Sequence, residues 1–169
     1  AMFSNFAETT SIRVNGVDPV AEAATTPLLP GRARDVPRGE PILTRGEILV
    51  PVLLARGLGV KAGSEVVLIA TNQDGSVNGK TFKVRSELES VTGPGGRDGY
   101  IHIEDARELL RMTQPEVSET AVRLINLDVV EDTAQALQAA LAAPPGTSVS
   151  PMGRKMRSPL ARVNWRLRT

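Results

Sequence analysis

The residues best placed to do chemistry lie in Gly75-Ser76-Val77-Asn78-Gly79-Lys80-Thr81, which nearly spells a phosphate-binding loop. Such a loop cradles phosphates with backbone N–H groups, adds a lysine for charge, and opens a helix whose N-terminus faces the anion. Here three residues, not four, separate the glycines, and Asp74 stands where the first glycine belongs. The residues after Thr81 alternate as a strand does, and a carboxylate at that place repels phosphate, so nucleotide binding is not expected. The segment Thr92-Gly93-Pro94-Gly95-Gly96-Arg97-Asp98-Gly99 could cradle an anion through its amides; a flexible connection is the plainer reading. His102 is the only histidine, so no second imidazole exists for zinc, and there is no G-x-S-x-G elbow for a nucleophile. Asn72, Asp74 and Ser76 mimic the alternation of a calcium loop, but its glycine and closing glutamate are missing. Asp18 and Glu22 read as a helix cap and a solvated charge. No catalytic, cofactor-binding or metal-binding residue is therefore expected, no cofactor is implied, and the chain is not expected to be an enzyme.

The scaffold for these residues is most legible from Gly46 to Val84. Ile48, Leu49 and Val50 form an apolar run. Pro51, with its fixed φ and missing N–H, suits the first turn of a helix with Leu53, Leu54 and Leu58 on one side, which Gly57 and Gly59 end. Val66, Leu68 and Ala70 alternate with Val67 and Ile69 in a run that is apolar on both faces, as a strand buried on both sides would be. Asp74-Gly75 and Asn78-Gly79 tolerate positive φ, so the chain is expected to turn and return as Thr81-Phe82-Lys83-Val84. The expected unit is strand, short helix, strand, turn, strand.

Around it, Ile12, Val14 and Asn15 read as a strand, and Asp18-Pro19 as the cap and first position of a helix to about Thr25. Pro27, Pro30, Pro37 and Pro41 with Gly31 and Gly39 predict an extended connection without regular structure from Pro27 to Arg45. Tyr100 to Ile103 predicts a strand with His102 facing solvent, followed by a helix carrying Ala106, Leu109 and Leu110. Ala121 to Ile125 predicts a further strand. Asp128 and Glu131 have capping-box spacing ahead of a helix with the stripe Val130, Ala134, Leu137 and Leu141. Pro144-Pro145-Gly146 ends it, and Thr147 to Ser150 could return as a strand.

Hydrophobic residues make up 41% of the 169, enough for a proper core, whereas aromatics make up only 3%, which argues against a stacking platform for single-stranded nucleic acid. No cysteine is present, which excludes disulfides and thiolate metal sites. The net charge of +1 conceals an acidic body and a basic end, because Arg154, Lys155, Arg157, Arg162, Arg166 and Arg168 have no acid among them. No nucleic-acid partner is expected for the body. No run approaches the ~20 apolar residues that span a bilayer.

The order of these pieces carries a resemblance. An apolar strand, a helix ending Leu54-Ala55-Arg56-Gly57-Leu58-Gly59-Val60, then Lys61-Ala62-Gly63-Ser64-Glu65-Val66-Val67-Leu68, a glycine hairpin and Phe82-Lys83-Val84 resemble the extracytoplasmic core domain of FtsX-like and MacB-like ABC transporter permeases. Val14-Asn15-Gly16-Val17-Asp18-Pro19 with Glu22, Tyr100-Ile101-His102-Ile103 with Glu104 to Leu110, and Ser118 to Leu124 resemble its flanking elements. The likeness runs from about Ile12 to Ala142. Ser86 and Glu87 stand where the family has glycine and an apolar residue, and nothing before Ile12 matches its first strand and helix, so the chain is expected to be a piece of that domain.

The resemblance implies a bacterial inner-membrane protein whose domain lies on the periplasmic or extracellular side. The implied partners are a cytoplasmic ABC ATPase subunit, a second permease copy or homologue, and a lipoprotein, peptide or drug cargo or a periplasmic adaptor. The expected fold class is α+β: a β-rich lobe with one short helix over 46–99, inserted into an α/β lobe of 12–45 and 100–150 whose half-sheet is covered by helices on one face. Residues 1–11 are expected to be a disordered tag remnant, and 151–169 a disordered basic tail. A competing reading makes Gly46 to Val84 a small barrel that binds protein or nucleic acid with help from the tail.

Overall fold

The computed structural model describes residues 1–33, 35–37, 39–72, 74–91, 97–114 and 116–141, and the backbone of 142 and 160–168. The fold is α+β. The strands among these residues are β1 (Met2–Ser4), β2 (Thr9–Ser11), β3 (Val14–Val17), β4 (Glu47–Pro51), β5 (Glu65–Thr71), β6 (Val77–Leu88), β7 (Gly99–His102), β8 (Glu119–Leu124) and β9 (Leu160–Arg168). They form one mixed sheet in the order β2-β1-β5-β6-β4-β7-β3-β9-β8. The helices are α1 (Pro19–Thr25), α2 (Leu28–Arg32), α3 (Val52–Gly57), α4 (Ile103–Leu109) and α5 (Val130–Ala142), with a 3-10 turn at Leu127–Val129.

The centre of the sheet is the apolar run of β4. Ile48 and Val50 point into a core with Phe3, Val14, Ala55, Val66, Leu68, Phe82, Val84, Ile101, Ala106 and Leu109, while Leu49 joins Val17, Leu29, Ile42, Leu43, Leu88 and Tyr100 on the other side. Helices α3 and α4 cover the first face, and α2 with the connection after it covers the second. β4 is therefore the strand buried on both faces. β5, from which that was expected, buries only Val66, Leu68 and Ala70, and leaves Val67 and Ile69 partly exposed. Its strand partners β1 and β6 supply hydrogen bonds, but no helix covers that second face.

Local signals explain several ends. Asp18 Oδ1 accepts from Val20 N (2.9 Å) and Ala21 N (3.0 Å), so the capping expectation holds at α1. Glu22, expected in solvent, is fully buried because α1 packs toward α2, β8 and β9. Gly75, at φ +83°, makes the β5–β6 turn, closed by Asn72 N donating to Ser76 O at 2.7 Å. Asn78 and Gly79 are not part of the turn; they lie in β6 opposite Ala70 and Ile69.

The chain ends differ from expectation. Residues 1–11 form the β1–β2 hairpin, docked along β5 with Phe3 opposite Leu68 and fully buried. Burying one phenylalanine is worth about 1.5–3 kcal/mol, which offsets the ordering of so short a segment. Its turn is held by Asn5, which accepts from Ala7 N and Glu8 N and donates to Leu58 O at 2.8 Å; Phe6 remains exposed. Within the basic tail, 160–168 is a strand that pairs antiparallel with both β3 and β8, so this part is ordered. Residues 143–159, with the strand expected at Thr147 to Ser150, lie outside the described residues.

The connection from Pro27 to Arg45 contains α2, against expectation. Pro27 and Pro30 both fall at its start, where their missing N–H groups have no helical partner to lose. Asn126, not Asp128, caps the turn ahead of α5, accepting from Asp128 N at 3.0 Å. The stripe expected to be buried on α5 is largely exposed, with Leu141 at 85%. The unit from Gly46 to Val84 does not close into a barrel, since its strands continue into β1 on one side and β7 on the other.

Candidate functional site

β4 and β6 are parallel and end side by side. The crevice outside the carboxyl ends of parallel strands is a favoured place for a ligand or partner, because one strand leaves into a helix there and the neighbouring backbone diverges. In this chain that place is an open groove of about 540 Å³. α3 contributes Val52, Leu53 and Arg56; the end of β6 and the residues beyond it contribute Glu87, Glu89 and Ser90; the connection contributes Asp35. Leu53 is 55% exposed. The groove is thus partly apolar, with three carboxylates and one guanidinium.

Its far wall is stitched in place. Arg32 Nε donates to Glu89 O at 2.8 Å, Glu89 N donates to Arg32 O at 3.0 Å, and Asp35 N donates to Ser86 Oγ at 3.4 Å. Glu87 reaches the groove through an irregularity. The pairing of β4 with β6 passes from Ile48–Val84 to Leu49–Ser86, leaving Arg85 as an extra residue. Phe82 and Val84 enter the first core, yet Leu88, an even number of residues on, enters the second. The bulge therefore turns Glu87 to the α3 side. Simple alternation along β6 conceals this. The only sequence signal is the Ser86-Glu87 pair that breaks the apolar row.

A second constellation ties the two halves of the sheet together. Asp105, on α4 and 1% exposed at its side chain, accepts from Gly46 N at 2.7 Å, from Lys80 Nζ at 2.9 Å and from Arg45 Nε at 3.4 Å. Glu108, one turn on, accepts from Arg45 at 3.0 Å and from Lys80. Asn78 Nδ2 donates to Leu109 O at 3.0 Å. Burial pushes the Asp105 carboxyl up, but the Gly46 N–H, the Lys80 hydrogen bond and the nearby cations outweigh it and hold it below the usual carboxylate range. Burial pulls Lys80 down, and its bonds to Glu108 and Asp105 reverse that, raising it above the ordinary lysine value. The lysine of the near-miss phosphate loop is thus occupied by two carboxylates and packs 5.9 Å from the Phe82 ring centroid.

The other sequence candidates have structural places. His102 ends β7 and caps α4, its Nδ1 accepting from Glu104 N at 3.2 Å, so it is not a solvent-facing mid-strand residue. Asp74 closes the β5–β6 turn; the hydroxyl and then the N–H of Ser76 hold its carboxyl below the usual range. Residues 92–96 of the glycine loop lie outside the described residues. Its exit is fixed, since Asn15 Nδ2 donates to buried Asp98 at 3.1 Å, and a Cβ at Gly99 would lie 3.1 Å from Ile12 Cδ1 and 3.2 Å from Leu49 O. Among the described residues no cluster of three or more carboxylates and histidines is arranged to hold a metal, and no helix is long and apolar enough to cross a membrane. Neither a protein-family model nor a curated protein matches the chain.

Proposed function

We propose that this chain is an extracytoplasmic module of an ABC transporter permease, which passes ATP-driven motion of membrane helices to a cargo or partner outside the membrane. The observation that carries the reading is mechanical continuity: β6 runs without a loop from the Lys80–Asp105 clamp to Glu87 in the groove. About 3.3 Å per residue puts these points some 23 Å apart on one hydrogen-bonded strand. A body that relays movement needs such a strut, and it needs a contact surface at the end of it. The groove supplies that surface, with Leu53 as its apolar part and Glu87 beside it. Further support comes from the ionisable groups singled out in the sequence: Lys80, Asp74, Asp98 and His102 all hold the fold together. Cargo or adaptor would meet the groove, and an ATPase subunit would act through helices of the intact protein.

The test is to determine the coding sequence on both sides of the chain. One apolar run of ~20 residues upstream and several downstream are expected. An open reading frame with no such run on either side overturns the proposal.

A further inference from the structure

β8 forms one end of the sheet, and among the described residues no strand pairs with its outer edge. The opposite end is closed by β2, only three residues long, which is one way proteins blunt an edge. β8 is six residues long and without proline. Beyond it Ile125 is 76% exposed.

The sequence of this edge is complementary to itself. Centred on Ala121, the run Glu119-Thr120-Ala121-Val122-Arg123 sets Glu119 against Arg123 when read in opposite directions. In an antiparallel pair of two copies, each Glu119 lies directly across from the partner's Arg123. Shifting the register by two residues puts Glu119 against Ala121 or Ile125 and leaves the charges unmatched. Only one register matches the charges.

Within the chain, Arg123 stands opposite Arg162 in the β8–β9 register. Arg123 is exposed on β8, so it is open to a carboxylate across the free edge. Glu119 is engaged within its own copy. A carboxylate has about four lone-pair positions, so it can accept a second donor.

We propose that β8 is a homotypic docking edge, at which a second copy of this chain adds antiparallel about a two-fold axis through Ala121. The contact is one strand wide, so the dimer is weak and concentration-dependent. This inference rests on the β8 edge and not on the permease reading, and either can fail alone.

The test uses the full chain, in which no native cysteine interferes. Sedimentation equilibrium is expected to show the mass rising with concentration from 18.0 kDa toward twice that value. Ala121→Cys is expected to cross-link to itself under mild oxidation, because directly opposed Cα atoms lie about 4.5–5.5 Å apart, within disulfide reach. Val117→Cys, displaced from its own copy by about 27 Å along the ladder, is expected not to. Arg123→Glu is expected to weaken the dimer about tenfold or more, and the double swap E119R/R123E to restore it. A monomer at every concentration, a dimer that Ala121→Cys fails to link, or a dimer indifferent to Arg123→Glu would overturn the proposal. Should Arg123→Glu lose its far-ultraviolet circular dichroism, the cysteine pair decides alone.

Discussion

Asp105 gathers three donors at a site that water barely reaches, two from the adjacent Arg45 and Gly46 and one from distant Lys80. Replacing it with alanine strands the Gly46 N–H and leaves the Lys80 ammonium with Glu108 alone. Asp105→Ala is expected to cost about 2 kcal/mol, measured as a lower urea midpoint, because the Gly46 N–H loses its acceptor and Lys80 loses one of its two carboxylates. The pH dependence follows from the directions of the shifts. Asp105 titrates lower in the folded chain than its unfolded value near 3.9, so its contribution is complete above that value and is lost as pH falls through the folded one. Lys80 titrates higher than its unfolded value near 10.4, so its contribution is complete below that value and is lost as pH rises through the folded one. Asp105→Asn is expected to flatten the acid limb of urea midpoint against pH; an unchanged acid limb would show that other carboxylates set it. None of this clamp was legible in the sequence. Arg45, Lys80, Asp105 and Glu108 have no common spacing, and only the fold makes them neighbours. The Asp18 cap was legible, since donor and acceptor lie within three residues of each other.

Elements that owe their form to local chemistry were read correctly, and those that depend on distant partners were not. α3 and α4 carry their proline and apolar spacing with them, and the β5–β6 turn carries Gly75, although Asn78 and Gly79, expected in that turn, lie in β6. β1 does not: three residues around Phe3 have no pattern, and what orders them is a slot beside Leu68 more than sixty positions away. Phe3→Ala is expected to cost about 3 kcal/mol and to raise amide exchange across residues 1–11, in contrast to the near-neutral change of a frayed end. β9 was masked by its charge. Its six-residue ladder with β8 holds that strand to the sheet, since β8 has no other strand neighbour among the described residues. Ending the chain before Leu160 is expected to release β8, read as fast amide exchange from Glu119 to Leu124 while β4 and β6 stay protected. Protection of β8 in that shortened chain would show that β9 is dispensable.

For the molecule as a whole, one sheet runs across the lobe limits expected at 46 and 99. β4 pairs with β7, and the clamp joins α4 to β6, so the β-rich and α/β parts share hydrogen bonds and a core. Thermal unfolding is expected to be a single transition with matching calorimetric and van't Hoff enthalpies; two resolved transitions would show independent lobes. The bulge at Arg85 bears on the chain in a different way. Deleting one residue from a strand ordinarily turns everything beyond it inside out. At Arg85 the reverse holds, because Val84 and Ser86 already pair with consecutive residues of β4 and lie on opposite faces. Loss of that one codon would forfeit the contacts of Arg85 with Glu40 and Glu47 and leave every buried side chain where it is. A chain lacking Arg85 is accordingly expected to keep the fold, read as an unchanged circular dichroism spectrum, where the same deletion elsewhere in β6 would not.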